Sequence, residues 1–144
     1  MCFKLLTKPK GLPPPNNLID IEAGTILTIL KEKFTAANIY LSDSIYKTTN
    51  IDELIRFINS DKTNEYKYVS EYFDCDDFNF HLMGSIHNVE WGALPFGICW
   101  LSKPGGNHAL NIFIDREQEV YFVEPQNDTV FLCPTHWVPY FVMI

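Results

Sequence analysis

The apolar residues in the first half of the chain follow helical spacing, interrupted by one short extended segment. Prolines at positions 9, 13, 14 and 15 fix the backbone and remove hydrogen-bond donors, so residues 1–19 are predicted to form an extended N-terminal arm. Apolar side chains then recur at helical intervals over residues 21–34, and residues 38–41 resemble a short strand. The pattern predicts a helix followed by a strand.

Two further helices are predicted from capping signals. Asn50 and Glu53 have the spacing of a capping box and precede a predicted helix over residues 51–60. The apolar stripe of this helix consists of Leu54, Ile55, Phe57 and Ile58. A third helical pattern begins at Asp74 and is predicted to stop at Gly84, because glycine readily adopts the left-handed conformation that ends many helices.

The second half of the chain consists of short apolar or alternating runs separated by proline, glycine and charged residues. Such runs predict strands that pair antiparallel, at residues 93–101, 109–115, 120–124, 130–133 and 137–142. Helices therefore occupy the first half and strands the second. This segregation predicts an α+β domain in which N-terminal helices pack on a C-terminal antiparallel sheet.

Composition and charge narrow the function classes. The length of 144 residues fits a single domain over residues 1–144, with no repeat or linker that would mark a second one. No apolar run reaches the ~20 residues that a membrane-spanning helix needs, and the N-terminus lacks a secretory signal. The formal charge of −7 disfavours nucleic acid, which is bound through clustered positive charge. We therefore expect a cytoplasmic protein without membrane or nucleic-acid partners; the sequence does not define its oligomeric state.

The four cysteines form no CxxC pair, so free thiols in a reducing compartment are expected. Two disulfides are the alternative, and mass measurement with and without reductant separates the two states.

Cys75 is the candidate nucleophile. It is predicted to lie at the N-terminus of the third helix, where unpaired N–H groups and the helix dipole lower the pKa of a thiol. A catalytic thiol also needs an imidazole base that a third polar group orients. His108 and Glu124 are the residues of the right types later in the chain.

The hairpin pattern predicts that His108 and Glu124 come together. An antiparallel pair closed by an odd loop places positions with an even sum on the same face, and these two numbers sum to an even value. A three- or five-residue loop around Arg116 and Glu117 would set them directly opposite each other, with Cβ atoms about 5 Å apart. An even loop would point them to opposite faces.

Each of these residues has an ordinary interpretation when taken singly. Most lone cysteines and histidines are packed core residues, and a glutamate before proline is usually a solvated strand end. Together, however, a helix-terminal cysteine, a strand-entry histidine and a later glutamate have the chain order of papain-like enzymes.

Three segments carry a family resemblance. The stretches 72–78 (YFDCDDF), 106–115 (GNHALNIFID) and 123–126 (VEPQ) resemble the C-terminal domain of the Marasmius-type mushroom agglutinins and its stand-alone bacterial and phage relatives. The similarity extends over about residues 20–130. It implies a papain-like fold with a Cys75, His108 and Glu124 triad, and an activity that depends on calcium or a similar cation. The agglutinins' sugar-binding trefoil has no counterpart in this chain, so no glycan-binding domain is expected.

The residues around Cys75 give the cation dependence a physical basis. Asp74, Asp76 and Asp77 would raise the pKa of the thiol and oppose the helix dipole, and a bound divalent cation would reverse that effect. Carboxylates suit Ca²⁺, and Mn²⁺ is also acceptable. The alternative is an ordinary acidic first turn, which helices favour.

The sequence thus predicts a cysteine peptidase that hydrolyses a peptide or protein substrate through Cys75, His108 and Glu124. One alternative is a catalytically silent binding module on the same fold, such as a phage accessory or host-interaction protein. A second is acyl transfer by the same triad. The bacterial cell-wall peptidases of the papain superfamily are a further resemblance, but they usually follow the cysteine with Ser-Gly rather than Asp76-Asp77.

Overall fold

A computed structural model describes residues 11–144 of the chain. The predicted N-terminal arm over residues 1–19 falls partly on residues 1–10, which lie outside the described residues, as does Cys2. Residues 11–18 form no helix or strand, and residue 19 already belongs to a strand. The cysteines within the described range, Cys75, Cys99 and Cys133, are free thiols. No helix in this range has the length and apolar character needed to cross a membrane.

The described residues form three helices and eight strands. The helices are α1 (Ala23–Lys33), α2 (Ile51–Ile58) and α3 (Cys75–Ile86), and a short 3-10 turn spans Thr63–Glu65. The strands are β1 (Ile19–Glu22), β2 (Asn38–Tyr40), β3 (Ile45–Thr48), β4 (Phe96–Lys103), β5 (Gly106–Ile114), β6 (Val120–Glu124), β7 (Thr129–Leu132) and β8 (Val138–Met143).

Side-chain caps fix the start of two helices. The Asn50 side chain accepts a hydrogen bond from the Glu53 N–H at 3.1 Å, which satisfies one of the free donors at the start of α2. Asp74 and Asp77 form a capping box at the start of α3. The predicted stop at Gly84 is wrong, because this glycine lies inside α3, which continues to Ile86.

Six of the strands form one mixed sheet in the order β2-β8-β4-β5-β6-β7. All neighbours pair antiparallel except β2 and β8, which are parallel. The remaining strands, β1 and β3, form a separate antiparallel pair. Gly97 is needed where β4 meets the end of the chain, since a Cβ there would lie 1.9 Å from the Met143 carbonyl oxygen.

The expected papain-like α+β arrangement, with N-terminal helices packed on a C-terminal antiparallel sheet, is wrong. Three of the eight strands come from the first half of the chain, and one of them joins the main sheet in parallel. Sheet structure predominates, with three short helices. Strands β1 and β3 escaped prediction because each buries few side chains, Ile21 in β1 and Tyr46 and Thr48 in β3. One of these, Thr48, is polar and bonds the Ile114 carbonyl.

Both faces of the main sheet are covered by apolar clusters. Side chains of α1 pack with Leu110 and Ile112 of β5 on one face, and side chains of α2 and α3 pack with Phe113 on the other. This alternation along β5 gives it a buried position on both faces. Strand β5 is therefore a rigid support for side chains at its exposed beginning, where His108 lies.

Candidate functional site

A groove of about 210 Å³ lies where the first turn of α3 meets β4, β5 and β8. The residues that line it combine a thiol, an imidazole, an amide, two carboxylates and two large aromatic rings: Asp74, Cys75, Asp76, Trp100, Asn107, His108, Ala109 and Tyr140. The structure thus brings Cys75 and His108 to one surface feature. It also adds Trp100, Asn107 and Tyr140, which no sequence signal had selected.

His108 and Glu124 are joined by a short hydrogen bond. The His108 Nε2 atom lies 2.7 Å from Glu124 Oε2, and the two side chains are only 13% and 17% exposed. The other oxygen, Oε1, accepts from the backbone N–H and the side-chain amide of Gln126 at 3.4 and 3.3 Å. Glu124 is thereby held on both oxygens and orients the histidine ring.

The hairpin loop explains this contact. The loop over residues 115–119 has five residues, an odd number as the prediction required. The register sets Asn111 opposite Val123, so His108 and Glu124 share a face but lie diagonally rather than directly opposite each other. Diagonal neighbours remain within reach of long side chains, and here the two side chains close the gap.

The thiol of Cys75 is not activated as the sequence suggested. Cys75 is the first residue of α3 and is half-buried. Burial raises the pKa of the thiol, and the nearby charges of Asp74 and Asp76 raise it further, although the Ala109 N–H lowers it. The predicted effect of the acidic neighbours is present, but burial is the larger cause. Within residues 11–144 no hydrogen bond joins the Cys75 sulfur to the His108 ring.

The acidic residues beside Cys75 divide into two kinds. Oxygen atoms of Asp74 and Asp76 and the Cys75 sulfur all lie within 4.8 Å of one another. A hydrogen bond between the two carboxyl side chains is the main cause of a raised pKa for Asp76. Asp77 points instead to the helix cap, where its carboxylate accepts from the Asp74 N–H at 3.0 Å. Asp74 and Asp76 are therefore the two carboxylates grouped with the Cys75 sulfur, and Asp74 also takes part in the capping box with Asp77.

A protein-family comparison and two solved structures relate this chain to known proteins. The model of a family described as "Agglutinin C-terminal" matches residues 34–130, about two thirds of the chain. No curated protein matches the chain.

Both solved structures are similar over most of this chain. One is described as "PSL1a-E64 complex", with 28% identity, a TM-score of 0.75, and coverage of 87% of this chain and 51% of that one. The other is a Polyporus squamosus lectin bound to the human-type influenza-binding epitope Neu5Aca2-6Galb1-4GlcNAc, with 26% identity, a TM-score of 0.71, and coverage of 87% and 49%. This chain therefore spans about half the length of each.

These comparisons correct the functional expectations. An agglutinin family and a lectin structure contradict the papain-like fold assignment and the cysteine peptidase activity, and they favour the alternative of a binding module. The expectation of a peptide or protein substrate without glycan recognition is likewise contradicted by a relative solved with a glycan. The site gives a physical reason for this correction. Burial raises the pKa of the Cys75 thiol, which disfavours the thiolate that a cysteine peptidase uses as its nucleophile.

Proposed function

The chain belongs to the agglutinin C-terminal family, and from this premise we propose that it is a non-enzymatic binding module that takes a neutral saccharide in the groove beside Cys75. The observation that carries the proposal is the composition of this groove. The Trp100 and Tyr140 rings line the groove, and Asn107 offers its amide nitrogen as a donor while its Oδ1 atom accepts from the Ser102 hydroxyl at 2.9 Å. These groups are complementary to a saccharide, which presents apolar C–H faces to aromatic rings and hydroxyl groups to hydrogen-bonding side chains.

The charge of the groove favours a neutral ligand over an acidic one. Asp74 and Asp76 lie at one side of it, and the whole chain carries a formal charge of −7. A ligand carboxylate placed a few ångströms from these side chains would meet like charge in a partly desolvated site. The Galb1-4GlcNAc part of the epitope in the lectin's description is neutral, whereas its Neu5Ac unit is an acid. We therefore expect the unsialylated disaccharide to bind more tightly when no divalent cation is present to neutralise Asp74 and Asp76.

The state of Cys75 supports binding without a covalent step. A half-buried thiol with a raised pKa stays protonated at neutral pH, and a protonated thiol is a poor nucleophile. In this proposal Cys75 and Ala109 form the floor of the groove. His108, oriented by Glu124, offers the ligand one ring nitrogen, since the other is engaged by the carboxylate.

Titration with saccharides tests the proposal. Galβ1-4GlcNAc and its sialylated form are added to the full chain, and binding is followed by calorimetry and by shifts of backbone amide resonances at residues 107–109. Tyr140→Ala should raise the dissociation constant about tenfold, equivalent to ~1.4 kcal/mol. Tyr40→Ala is the matched control, because Tyr40 is an exposed tyrosine on β2 that does not line the groove.

Two results would overturn this proposal. The first is the absence of any saccharide-dependent shift in the groove of the folded protein. The second is a gain in mass at Cys75 on incubation with E64, the compound named with PSL1a, together with turnover of peptide substrates. That second result would mean that the thiol acts chemically.

We also propose that the carboxylates of Asp74 and Asp76 bind Ca²⁺, with Mn²⁺ as an alternative ion. Two carboxyl groups with oxygen atoms within 4.8 Å of each other suit a hard divalent cation, which would offset the repulsion between them. The thiol of Cys75 is a soft ligand and contributes little to Ca²⁺. Asp77 is left out of this site because its carboxylate is not among the ligand atoms that lie within 4.8 Å of one another.

Thermal unfolding with and without Ca²⁺ tests this site. Ca²⁺ at a hundredfold excess over its dissociation constant should stabilise the folded protein by about 2.7 kcal/mol and so raise the melting temperature. Asp76→Asn should abolish this rise. Asp52→Asn is the matched control, since Asp52 occupies the same second position of a helix in α2. An equal Ca²⁺ response in both variants would contradict the assignment.

A further inference from the structure

Two fully buried asparagines connect the first turn of α3 to the sheet beneath the groove. The Asn79 Nδ2 atom donates to the Cys75 carbonyl at 2.5 Å and to the Ala109 carbonyl at 2.9 Å. The Asn111 Nδ2 atom donates to the Asn79 carbonyl and to the Gly97 carbonyl, both at 3.0 Å. Both side chains are 0% exposed. A continuous set of four hydrogen bonds therefore runs from β4 through β5 to the residue that begins α3.

The partners of these side chains require an amide. All four are carbonyl oxygens, which only accept, and an asparagine amide nitrogen supplies two donors. If either asparagine were an aspartate, its carboxylate oxygens would face two carbonyl oxygens that need a donor. If it were a leucine, both carbonyls would lose the hydrogen bond that the amide nitrogen now gives them. An apolar side chain would also have been the ordinary choice on a helix face packed against a sheet. The cost of burying two amides therefore points to a specific requirement at this position.

The Ala109 carbonyl lies where the sheet leaves a free position. Strand β6 pairs with β5 only from Asn111 onwards, so Ala109 has no partner on β6. The Asn79 amide occupies that side of the peptide unit, and the Ala109 N–H faces the Cys75 sulfur. Asn79 thus links the carbonyls of Cys75 and Ala109, two groove-lining residues that belong to α3 and to β5 respectively.

We propose that Asn79 is a positioning residue that sets the width of the groove by tying the first turn of α3 to β5, and that Asn111 holds Asn79 in place. The proposal rests on the groove being the binding site, as proposed above. It is distinct from the stability of α3, because the link to Cys75 lies within the helix whereas the link to Ala109 crosses from the helix to the sheet.

Amide hydrogen exchange on the full chain separates these two links. Asn79→Leu removes both and should accelerate exchange at residues 107–110 and in the first turn of α3 by roughly tenfold to a hundredfold relative to the rest of β5. Asn79→Ser should give the same local acceleration at 107–110 while sparing the helix, because a serine hydroxyl can still bond the carbonyl four residues earlier but is too short to reach Ala109. In the wild type, the Nδ2 protons of Asn79 should exchange as slowly as buried backbone amides.

Ser85→Ala is the matched control. Ser85 also lies on α3, but ten residues from Cys75 and away from the groove, and its hydroxyl donates to the Asp61 side chain. Loss of this hydrogen bond should leave exchange at residues 107–110 unchanged. Uniform acceleration across the whole sheet in the Asn79 variants would reduce Asn79 to a general stability role and overturn the proposal. Rapid exchange of the wild-type Asn79 side-chain protons would also overturn it. These exchange measurements need no saccharide, so they can succeed even if the proposed saccharide binding fails. If a saccharide does bind, Asn79→Ser should raise its dissociation constant about tenfold and Ser85→Ala should leave it unchanged.

Discussion

Gly84 gives a prediction whose sign depends on where α3 ends. The structure places Gly84 inside the helix on an exposed face, with nothing within 4 Å of an added Cβ. Glycine in a helix interior loses more backbone entropy on folding than alanine does, at a cost of roughly 0.5–1 kcal/mol. Gly84→Ala should therefore stabilise the protein by about that amount and raise the melting temperature by about 2–4 °C.

The sequence pattern alone gives the opposite sign. A glycine that ends a helix in the left-handed conformation resists replacement, since alanine there costs roughly 1–2 kcal/mol. The two interpretations of Gly84 thus differ by about 2 kcal/mol in the free energy of unfolding, which urea titration resolves. A lower melting temperature for Gly84→Ala would refute the placement of this residue within α3.

Gly97→Ala is the counterpart that calibrates the assay. A Cβ at this position would lie 1.9 Å from the Met143 carbonyl oxygen and 2.8 Å from Ile144 Cγ1. The nearer atom belongs to the backbone of β8, which pairs with β4 along its length and cannot give way cheaply. We expect a loss of about 3 kcal/mol or more, at the upper end of the cost of overpacking. A loss below about 0.5 kcal/mol would show that β4 and β8 are not packed as described.

Two further predictions concern the acidic side chains of Asp115 and Glu124. Burial is the main cause that raises the pKa of Asp115 above its ordinary value of 3.8, so folding favours the protonated carboxyl. The stability that this group contributes is fully present below the unfolded-state pKa and is lost as the pH rises through the folded-state pKa. Asp115→Asn, which keeps an acceptor for the Glu119 N–H, should therefore flatten the fall in melting temperature as the pH rises above the ordinary value of 3.8 and gain up to about 1 kcal/mol at neutral pH; an unchanged pH profile would contradict this. Glu124→Gln keeps the shape of the side chain but weakens its bond to His108, and urea titration should show a loss of about 1 kcal/mol, whereas an unaltered midpoint would mean that the contact contributes nothing.

Local sequence signals determined several elements of this protein. The cap formed by Asn50 fixes the start of α2, and the predicted strand at residues 120–124 has the bounds of β6. The alternation of β5 and the odd length of its loop were enough to bring His108 to Glu124, because strand parity is a short-range property of the backbone. The family was also accessible from three short segments of sequence.

The tertiary structure decided the features that depend on neighbours distant in the chain. The parallel pairing of β2 with β8 joins residues about a hundred positions apart, which no local periodicity records. The continuation of α3 beyond Gly84 reflects packing of Leu82 and Ile86 on the sheet, which outweighs the preference of glycine for a helix end.

The chemistry of Cys75 shows the same division. Its place at a helix start could be predicted from the sequence, but its pKa follows from the extent to which β5 and the acidic first turn remove it from water. The Asn79 and Asn111 bridges were likewise invisible to pattern analysis, because a buried amide has no period and is defined only by the carbonyl groups that the fold brings to it.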